Sequence, residues 1–458
     1  MTVDPDGCPT WTAGLVTASD DRTFVYIGIG LSHLLGVIAA GATVCAAVDV
    51  TLAGARSDNV GVSVLSLETA TRSAMLLQVP CFADVLEARA DEVRQFLDRH
   101  DPRSEAIVLS SLAVPSAAVG TRACWTTDAA LARSLETKAA TGAGLDGLIP
   151  WIPSEPAPDH IDDHWWTATL RRLGCDRLVA QSIGLHAGGV RTWICASAHD
   201  IRRVVDAGGA IRVSKYVDGT TANVMACVVE GAVMVLPPSR QLQARDGCRP
   251  LYAGNSFDGV SPAATSKMVD DARTAGHALA ALGYVGSFGL DCIVDDNDAC
   301  WYHDLNARVN GVVHLFGAYF PAFASLVLAP GWLDAANVAR AERELSACVD
   351  RRPIARWYLS QQFVTPSSVR VPKEGLYRLD PHSPRARYLG AERSFDAVEG
   401  DVAYVRPKCP ADWKTVAGEQ LLVAEAWCTA ELASAFERAS GDRAMSTVLE
   451  SLRSADGC

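Results

Sequence analysis

Three oxygen-bearing side chains, Asp291, Asp304 and Asn306, have the types and spacing to hold a hard divalent cation. They lie within Gly286–Gly311, GSFGLDCIVDDNDACWYHDLNARVNG. This stretch reads as two short strands, Leu290–Val294 and Cys300–Leu305, joined by the turn-forming run Asp295-Asp296-Asn297-Asp298. A two-residue loop at Asn297-Asp298 sets Asp291 directly opposite Asp304, and alternation along the strand puts Asn306 on the same face. Opposed like charges destabilise a sheet, and crowded carboxylates resist joint ionisation. A cation held by carboxylate and amide oxygens removes that conflict, and Mg2+ with bound phosphates suits such a set. The plainer alternative, an exposed hairpin with stray acids, fits poorly because the acids sit inside apolar runs. An EF-hand is excluded: counting from Asp295, Ala299 stands where a ligand belongs and Cys300 where glycine is needed.

A second chemical feature lies upstream. A strand at Arg177–Ser182 runs into Ile183–Thr192, with Gly184, Gly188, Gly189 and the Thr192 hydroxyl, and a strand at Thr192–Ala196 follows. Glycines let backbone N–H groups approach phosphate oxygens without Cβ interference. This is not a P-loop, since no G-x-x-x-x-G-K-S/T occurs and no helix start follows.

Taken together, these features resemble the ATP-grasp carboxylate–amine ligases. Their metal-binding end has an Asp on one strand and (E/D)-x-N-x-R-x-x-G on the next, here Asp304-Leu-Asn306-Ala-Arg308-Val-Asn310-Gly311. The resemblance implies that Asp291, Asp304 and Asn306 hold Mg2+, with Mn2+ able to substitute, and that Arg308 faces the transferring phosphate. It makes the glycine-rich loop a phosphate lid. It implies that Lys138 reaches the α-phosphate and that the backbone of Lys215, Tyr216 and Val217 reads the adenine edge. The lysine usual on the strand before the lid is Gln181 here, so Arg191 is the expected replacement charge. Arg240 is a further candidate active-site cation. Asp304 is shorter than the usual Glu, and Ala307 replaces the usual Pro. The lid strand and the PPSRQ and YAGN loops are most similar to bacterial natural-product ligases of the pheganomycin-type and γ-glutamyl dipeptide-forming kinds. That implies ATP-driven activation of an amino-acid carboxylate, α or γ, through an acyl phosphate, followed by attack of an amine.

The elements that must position these residues divide the chain as follows. Residues 1–20 form a polar tail, and 21–125 an N-terminal α/β domain. Residues 126–216 form a small subdomain carrying the lid, and 217–345 a large subdomain with the metal end. Residues 346–458 form a small α+β appendage that closes the substrate pocket or dimerises. The fold class expected is mixed α/β, an ATP-grasp fold.

In the first domain, Thr23–Ile29, a helix from Leu34 to Ala40 and Thr43–Val48 read as a βαβ opening. Gly28, Gly30 and the later Asp49 resemble part of a dinucleotide fingerprint, but position 33 is His rather than the third glycine. Nucleotide binding and a structural layer are both open for it. One helix is expected over 84–99, and a strand over Ala106–Leu112. A helix over Thr127–Thr141 capped by Thr127, a stiff proline connector over 150–158, and a helix over His199–Ala207 follow. Next come a strand over Ile211–Val217, a hairpin about Glu230-Gly231, a compact loop at Tyr252–Asn255 and a helix over Ser266–Leu282. A terminal helix is expected over Glu419–Ala439.

Composition sets the outer limits. A chain of 458 residues that is 49% hydrophobic supports several buried cores, and its net charge of −12 argues against a nucleic-acid surface. The fourteen cysteines are spread from Cys8 to Cys458 without C-x-x-C or zinc spacing, and the start MTVDPDGCPT is polar. Reduced thiols and a cytoplasmic location are therefore expected, with no membrane partner, since the longest apolar run, Val37–Val50, is too short to span a bilayer. Small amino-acid or amine substrates are the expected partners, with a homodimer as one role for the C-terminal unit. The rival readings are a degenerate ATP binder, an NAD(P)-dependent enzyme using Gly28, Gly30 and Asp49, and a scaffold that binds neither.

Overall fold

The computed structural model describes residues 22–29, 34, 37–38, 41–50, 61–67, 78–137, 145, 147–183, 191–206, 210–229, 231–246, 248–316, 335–362, 365–368, 371–383, 386–391, 397–407, 420–440, 448 and 452. Their strands form three sheets.

The first sheet is parallel, with β1 (Thr23–Gly28), β2 (Thr43–Asp49), β3 (Ser63–Ser66) and β4 (Ile107–Ser110) in the order β3-β2-β1-β4. Both faces are covered, which is why β1 is a continuous apolar run. Val25, Ile27, Ala46 and Val48 face one core with Phe82, Leu86, Val93 and Phe96, while Phe24, Tyr26 and Ala47 face another. The helix expected over 84–99 is two helices, Gln78–Ala88 and Ala90–His100, because Arg89 leaves helical geometry (φ −119, ψ 22). Asp49 is fully buried, and a Cβ on Gly28 would meet the Tyr26 hydroxyl at 2.1 Å. Asp49 is thus enclosed by protein in this sheet. Gly30 and His33 lie outside the described residues.

The second sheet is antiparallel: β5 (Ser154–Pro156), β6 (Leu178–Ser182), β7 (Thr192–Cys195) and β8 (Ile211–Lys215), ordered β5-β8-β6-β7. The proline-rich stretch read as a connector supplies β5, where an edge position tolerates Pro156. Helices Asp163–Leu173 and Ala198–Asp206 cover the sheet. The first is capped by Asp162, whose carboxylate accepts from the Trp165 N–H at 2.7 Å, and it ends at Gly174 in the left-handed region.

The third sheet has eleven strands: β9 (Thr220–Val229), β10 (Ala232–Val235), β11 (Ser239–Asp246), β12 (Arg249–Ser256), β13 (Gly286–Val294), β14 (Cys300–Asn306), β15 (Ile354–Gln362), β16 (Gly375–Arg378), β17 (Arg387–Gly390), β18 (Val402–Pro407) and β19 (Gln420–Thr429). Their order is β14-β13-β9-β11-β12-β15-β19-β18-β16-β17, with β10 against β9. The C-terminal strands thus continue the sheet that carries the candidate metal hairpin, joined to it by β12 against β15. They are not a detached appendage. Three expectations change with this sheet. Tyr252–Asn255 is part of β12 rather than a loop, and Arg240 lies within β11. The terminal helix expected over Glu419–Ala439 is β19 followed by a helix at Ala430–Ser440. Helix Pro262–Ala281 starts earlier than expected, with Ser261 as its N-cap; it buries Met268, Ala272, Ala275 and Leu279, and Leu282 just past its end is 50% exposed.

Candidate active site

The hairpin β13–β14 pairs Asp291 directly with Asp304. Two local departures from the simplest hairpin cancel to produce this. The turn is one residue longer than expected: Asp295 N–H bonds Ala299 O at 3.1 Å, and Asp298 takes a left-handed conformation (φ 61). Cys300 therefore pairs with Val294. A bulge between Asp291 and Cys292, which leaves His303 as the extra residue, then restores the register.

Paired residues share a face, so the ladder lays a polar row across the sheet: Asp304, Asp291, Asn223 on β9 and Ser239 on β11. The amides in this row orient the Asp291 carboxylate. Its Oδ1 accepts from Asn223 Nδ2 at 2.5 Å and Gln241 Nε2 at 2.9 Å, and its Oδ2 accepts from Asn306 Nδ2 at 3.1 Å. Asn223 is 3% exposed, and its own Oδ1 accepts from Asn310 Nδ2 at 3.2 Å, while Asn310 Oδ1 accepts the Val312 N–H. This chain fixes which atom of each amide faces the carboxylate. Gly289 makes it possible, since a Cβ there would meet Asn310 Nδ2 at 2.2 Å. The row continues through Asn255 to the buried Arg356, which donates to Gly311 O at 2.7 Å and to Glu425 at 2.5 Å. The C-terminal strands thereby fasten the end of the Asp304–Gly311 motif.

Arg308 reaches Glu136 Oε1 at 2.6 Å, at the end of helix Ala129–Glu136. Burial works against its charge, but Glu136, Asp304 and Asp291 outweigh that and hold the guanidinium above its ordinary value. The N-cap of this helix is Asp128 rather than Thr127. Lys138, Gly184, Gly188 and Gly189 lie outside the described residues. At the borders of the segment expected to be a lid, Gln181 donates to Thr192 Oγ1 at 3.3 Å, and Arg191 is exposed.

At the expected adenine hinge, the Lys215 N–H donates to Pro153 O and the Tyr216 N–H to Arg177 O, so neither of these two groups is left to donate to an adenine edge. The Tyr216 ring lies under Arg177 at 4.0 Å, and Lys215 Nζ lies 5.6 Å from the Trp301 ring centroid.

Arg240 is not brought to this site. Neighbouring residues on a strand point to opposite faces, and it is Gln241 that reaches Asp291. Arg240 instead pairs with Glu437 at 2.7 Å and donates to Asp258 O at 3.1 Å, tying β11 to the C-terminal helix. Sequence reasoning missed Asn223, Gln241 and Arg212. The first two are uncharged residues in ordinary strand runs, and only strand pairing identifies them. Arg212 sits opposite Gln181 and donates to its Oε1 and, at 3.3 Å, to His303 O.

The donor set here is all oxygen, two carboxylates with neighbouring amides, which fits a hard divalent cation. Among the described residues, His, Cys, Asp and Glu side chains form no group of three or more that could hold a metal, and no helix is long and apolar enough to cross a membrane.

No protein-family model matches the sequence, and no curated protein matches it. Solved structures are similar in fold. One is an L-amino acid ligase from Bacillus licheniformis, with a TM-score of 0.59 at 13% identity, covering 92% of this chain and 98% of that one. Another is an N5-carboxyaminoimidazole synthase from Aspergillus clavatus in complex with ADP and 5-aminoimidazole ribonucleotide, with a TM-score of 0.56 at 14% identity, covering 94% and 99%. A biotin carboxylase from Campylobacter jejuni gives a TM-score of 0.56 at 12% identity, covering 91% and 90%. The chain has the ATP-grasp fold, a mixed α/β architecture.

Proposed function

We propose that this protein is an ATP-dependent, ADP-forming carboxylate–amine ligase that joins an amino acid to a second amino acid or amine. The observation that carries this reading is the direct opposition of Asp291 and Asp304, with Asn306 and Arg308 on the same motif. Asp291, Asp304 and Asn306 would hold Mg2+ or Mn2+, which supplies charge neutralisation across the phosphates.

The remaining work falls to the chain's own groups. The Asn310–Asn223 relay and Gln241 hold Asp291 in one orientation, so little reorganisation is needed when ligand arrives. Glu136 anchors the Arg308 guanidinium, which would meet the phosphoryl group passing from ATP to the substrate carboxylate. In that transfer the bond from the γ-phosphorus to the bridging oxygen breaks, and ADP leaves. A carboxylate oxygen bonds the phosphorus. The amine then attacks the acyl carbon, loses a proton and expels phosphate. No side-chain nucleophile is required.

The supporting experiment is ADP release with Mg2+-ATP against amino acids singly and in pairs. ADP that appears with one pair and is lost in Asp304→Ala supports the ligase and names its substrates. ATP binding without turnover on any pair points to a degenerate binder, and absence of ATP binding overturns the reading.

A further inference from the structure

We propose that the cavity at the β16–β17 turn binds a free amino acid, with its carboxylate on Arg387 and Arg378 and its ammonium on Asp380. The site does not depend on the ligase reading and shares no residue with the β13–β14 hairpin. Arg378 ends β16, and its ladder partners are Arg387 on β17 and Val402 on β18. A bulge sets this register. Leu376 pairs with Gly390 and Tyr377 with Tyr388, so Leu389 is the extra residue, 42% exposed. Without the bulge, Tyr388 would stand opposite Arg378. The bulge therefore brings two guanidinium groups onto one face, a pairing that destabilises a sheet unless a negative group meets it.

Both arginines, Asp380 and Asp401 line a solvent-facing cavity of about 340 Å3, at the small end of the range for ligand pockets. Asp401 meets one of the two cations, with its Oδ2 3.1 Å from Arg378 Nε. Its main-chain oxygen accepts the Leu379 N–H at 2.8 Å, which fixes it at the cavity wall. Arg387 makes no hydrogen bond or ion pair among the described residues. Its planar fork is the donor geometry that matches a carboxylate. Asp380 is held by a turn: its Oδ1 accepts the His382 N–H at 2.8 Å and its carbonyl the Ser383 N–H at 3.1 Å. Its Oδ2 accepts nothing among the described residues. The wall thus offers one uncommitted cation and one uncommitted carboxylate oxygen, and its four charges balance. A bare anion would be drawn by the arginines and repelled by Asp380, whereas an amino acid meets both signs at once.

The test is titration calorimetry without ATP, using the proteinogenic L-amino acids singly, inorganic phosphate, and the deaminated acid of whichever amino acid binds. The proteins are wild type, Arg387→Gln, Arg387→Lys and Asp380→Asn. Arg387 and Asp380 are exposed, so the variants should fold, as their melting transitions check. Loss of a charge-assisted contact should weaken the amino acid by about 10- to 100-fold in Arg387→Gln, and its deaminated acid by a similar factor. Arg387→Lys keeps the charge without the fork and should fall between. Asp380→Asn should weaken the amino acid about 10-fold and leave the deaminated acid unchanged, a split that a merely structural role would not produce. Amino-acid binding of equal strength in wild type and every folded variant overturns the proposal, as does a wild type that binds no amino acid. Phosphate binding that is lost in Arg387→Gln while no amino acid binds also overturns it, and leaves a simple oxyanion site. ADP release measured in parallel keeps the two readings apart: turnover in a wild type whose amino-acid binding ignores both variants fails this site and leaves the ligase standing.

Discussion

Two adjacent residues on β11 should respond to truncation in opposite ways. Arg240 and Gln241 are sequence neighbours, yet one faces the C-terminal helix and the other the Asp291 carboxylate. In Arg240→Ala, Glu437 loses its partner and the Asp258 carbonyl a donor. The side chains are 17% and 29% exposed, so the pair should contribute more than a surface ion pair and less than a fully buried one, about 1–2 kcal/mol. That lowers the melting temperature by a few degrees and leaves Mg2+-ATP affinity within about twofold. In Gln241→Ala, Asp291 keeps Asn223 and Asn306 as donors, so the fold persists, but the carboxylate is less firmly oriented. Loss of such a supporting bond typically weakens metal binding by about 10- to 100-fold. Thermal melts and calorimetric titration of both variants separate the two effects. Loss of Mg2+-ATP affinity in Arg240→Ala with an unchanged melt, alongside a binding-neutral Gln241→Ala, would refute the strand-parity argument.

Gly289→Ala should displace the Asn310 amide, which a Cβ would meet at 2.2 Å, and uncouple it from Asn223. The expected result is severalfold weaker Mg2+-ATP binding with about 1 kcal/mol lost on unfolding, read by calorimetry and denaturant titration. Burial pushes the thiols of Cys195 and Cys428 up to about 12, whereas Cys248 is exposed. Among these three, iodoacetamide near pH 7.5 should label Cys248 first and the other two only after denaturation, as mass spectrometry would show. Asp295 accepts from the Trp301 indole N–H at 2.9 Å and from the Asn297 and Ala299 N–H groups, which holds its carboxyl below the usual range. A depressed folded value means its stabilisation is full above the ordinary carboxylate pKa and is lost as pH falls through the folded one. The melting difference between wild type and Asp295→Asn should therefore be present at pH 6 and shrink below about pH 4. A difference that is flat with pH would contradict this.

The opposition of Asp291 and Asp304 was legible in the sequence, although the route to it was not. The turn signal at 295–298 was read correctly, but its length and the His303 bulge depend on backbone geometry that residue types do not specify. The two deviations cancel. The choice of Arg240 over Gln241 shows the opposite limit. Charge marks a residue as interesting, while strand parity decides which face it serves, and parity follows from the pairing of β11 with β9. The terminal run 419–439 looked helical because Ala, Leu and Glu dominate it. Gln420–Thr429 is nevertheless an interior strand between β15 and β18, where sheet packing overrides propensity. Arg212 carried no motif, and its relation to Gln181 appears only once β6 and β8 are paired.

The central claim is that the opposed carboxylates form a divalent-cation site used with a nucleotide. Electron paramagnetic resonance of Mn2+, titrated with and without ATP, tests it most directly in wild type, Asp304→Asn and Asp291→Asn. The account predicts protein-bound Mn2+ that tightens with ATP in the wild type and is weakened at least tenfold in both variants, whose melting transitions confirm that they fold. Mn2+ binding of equal strength in all three proteins would contradict it.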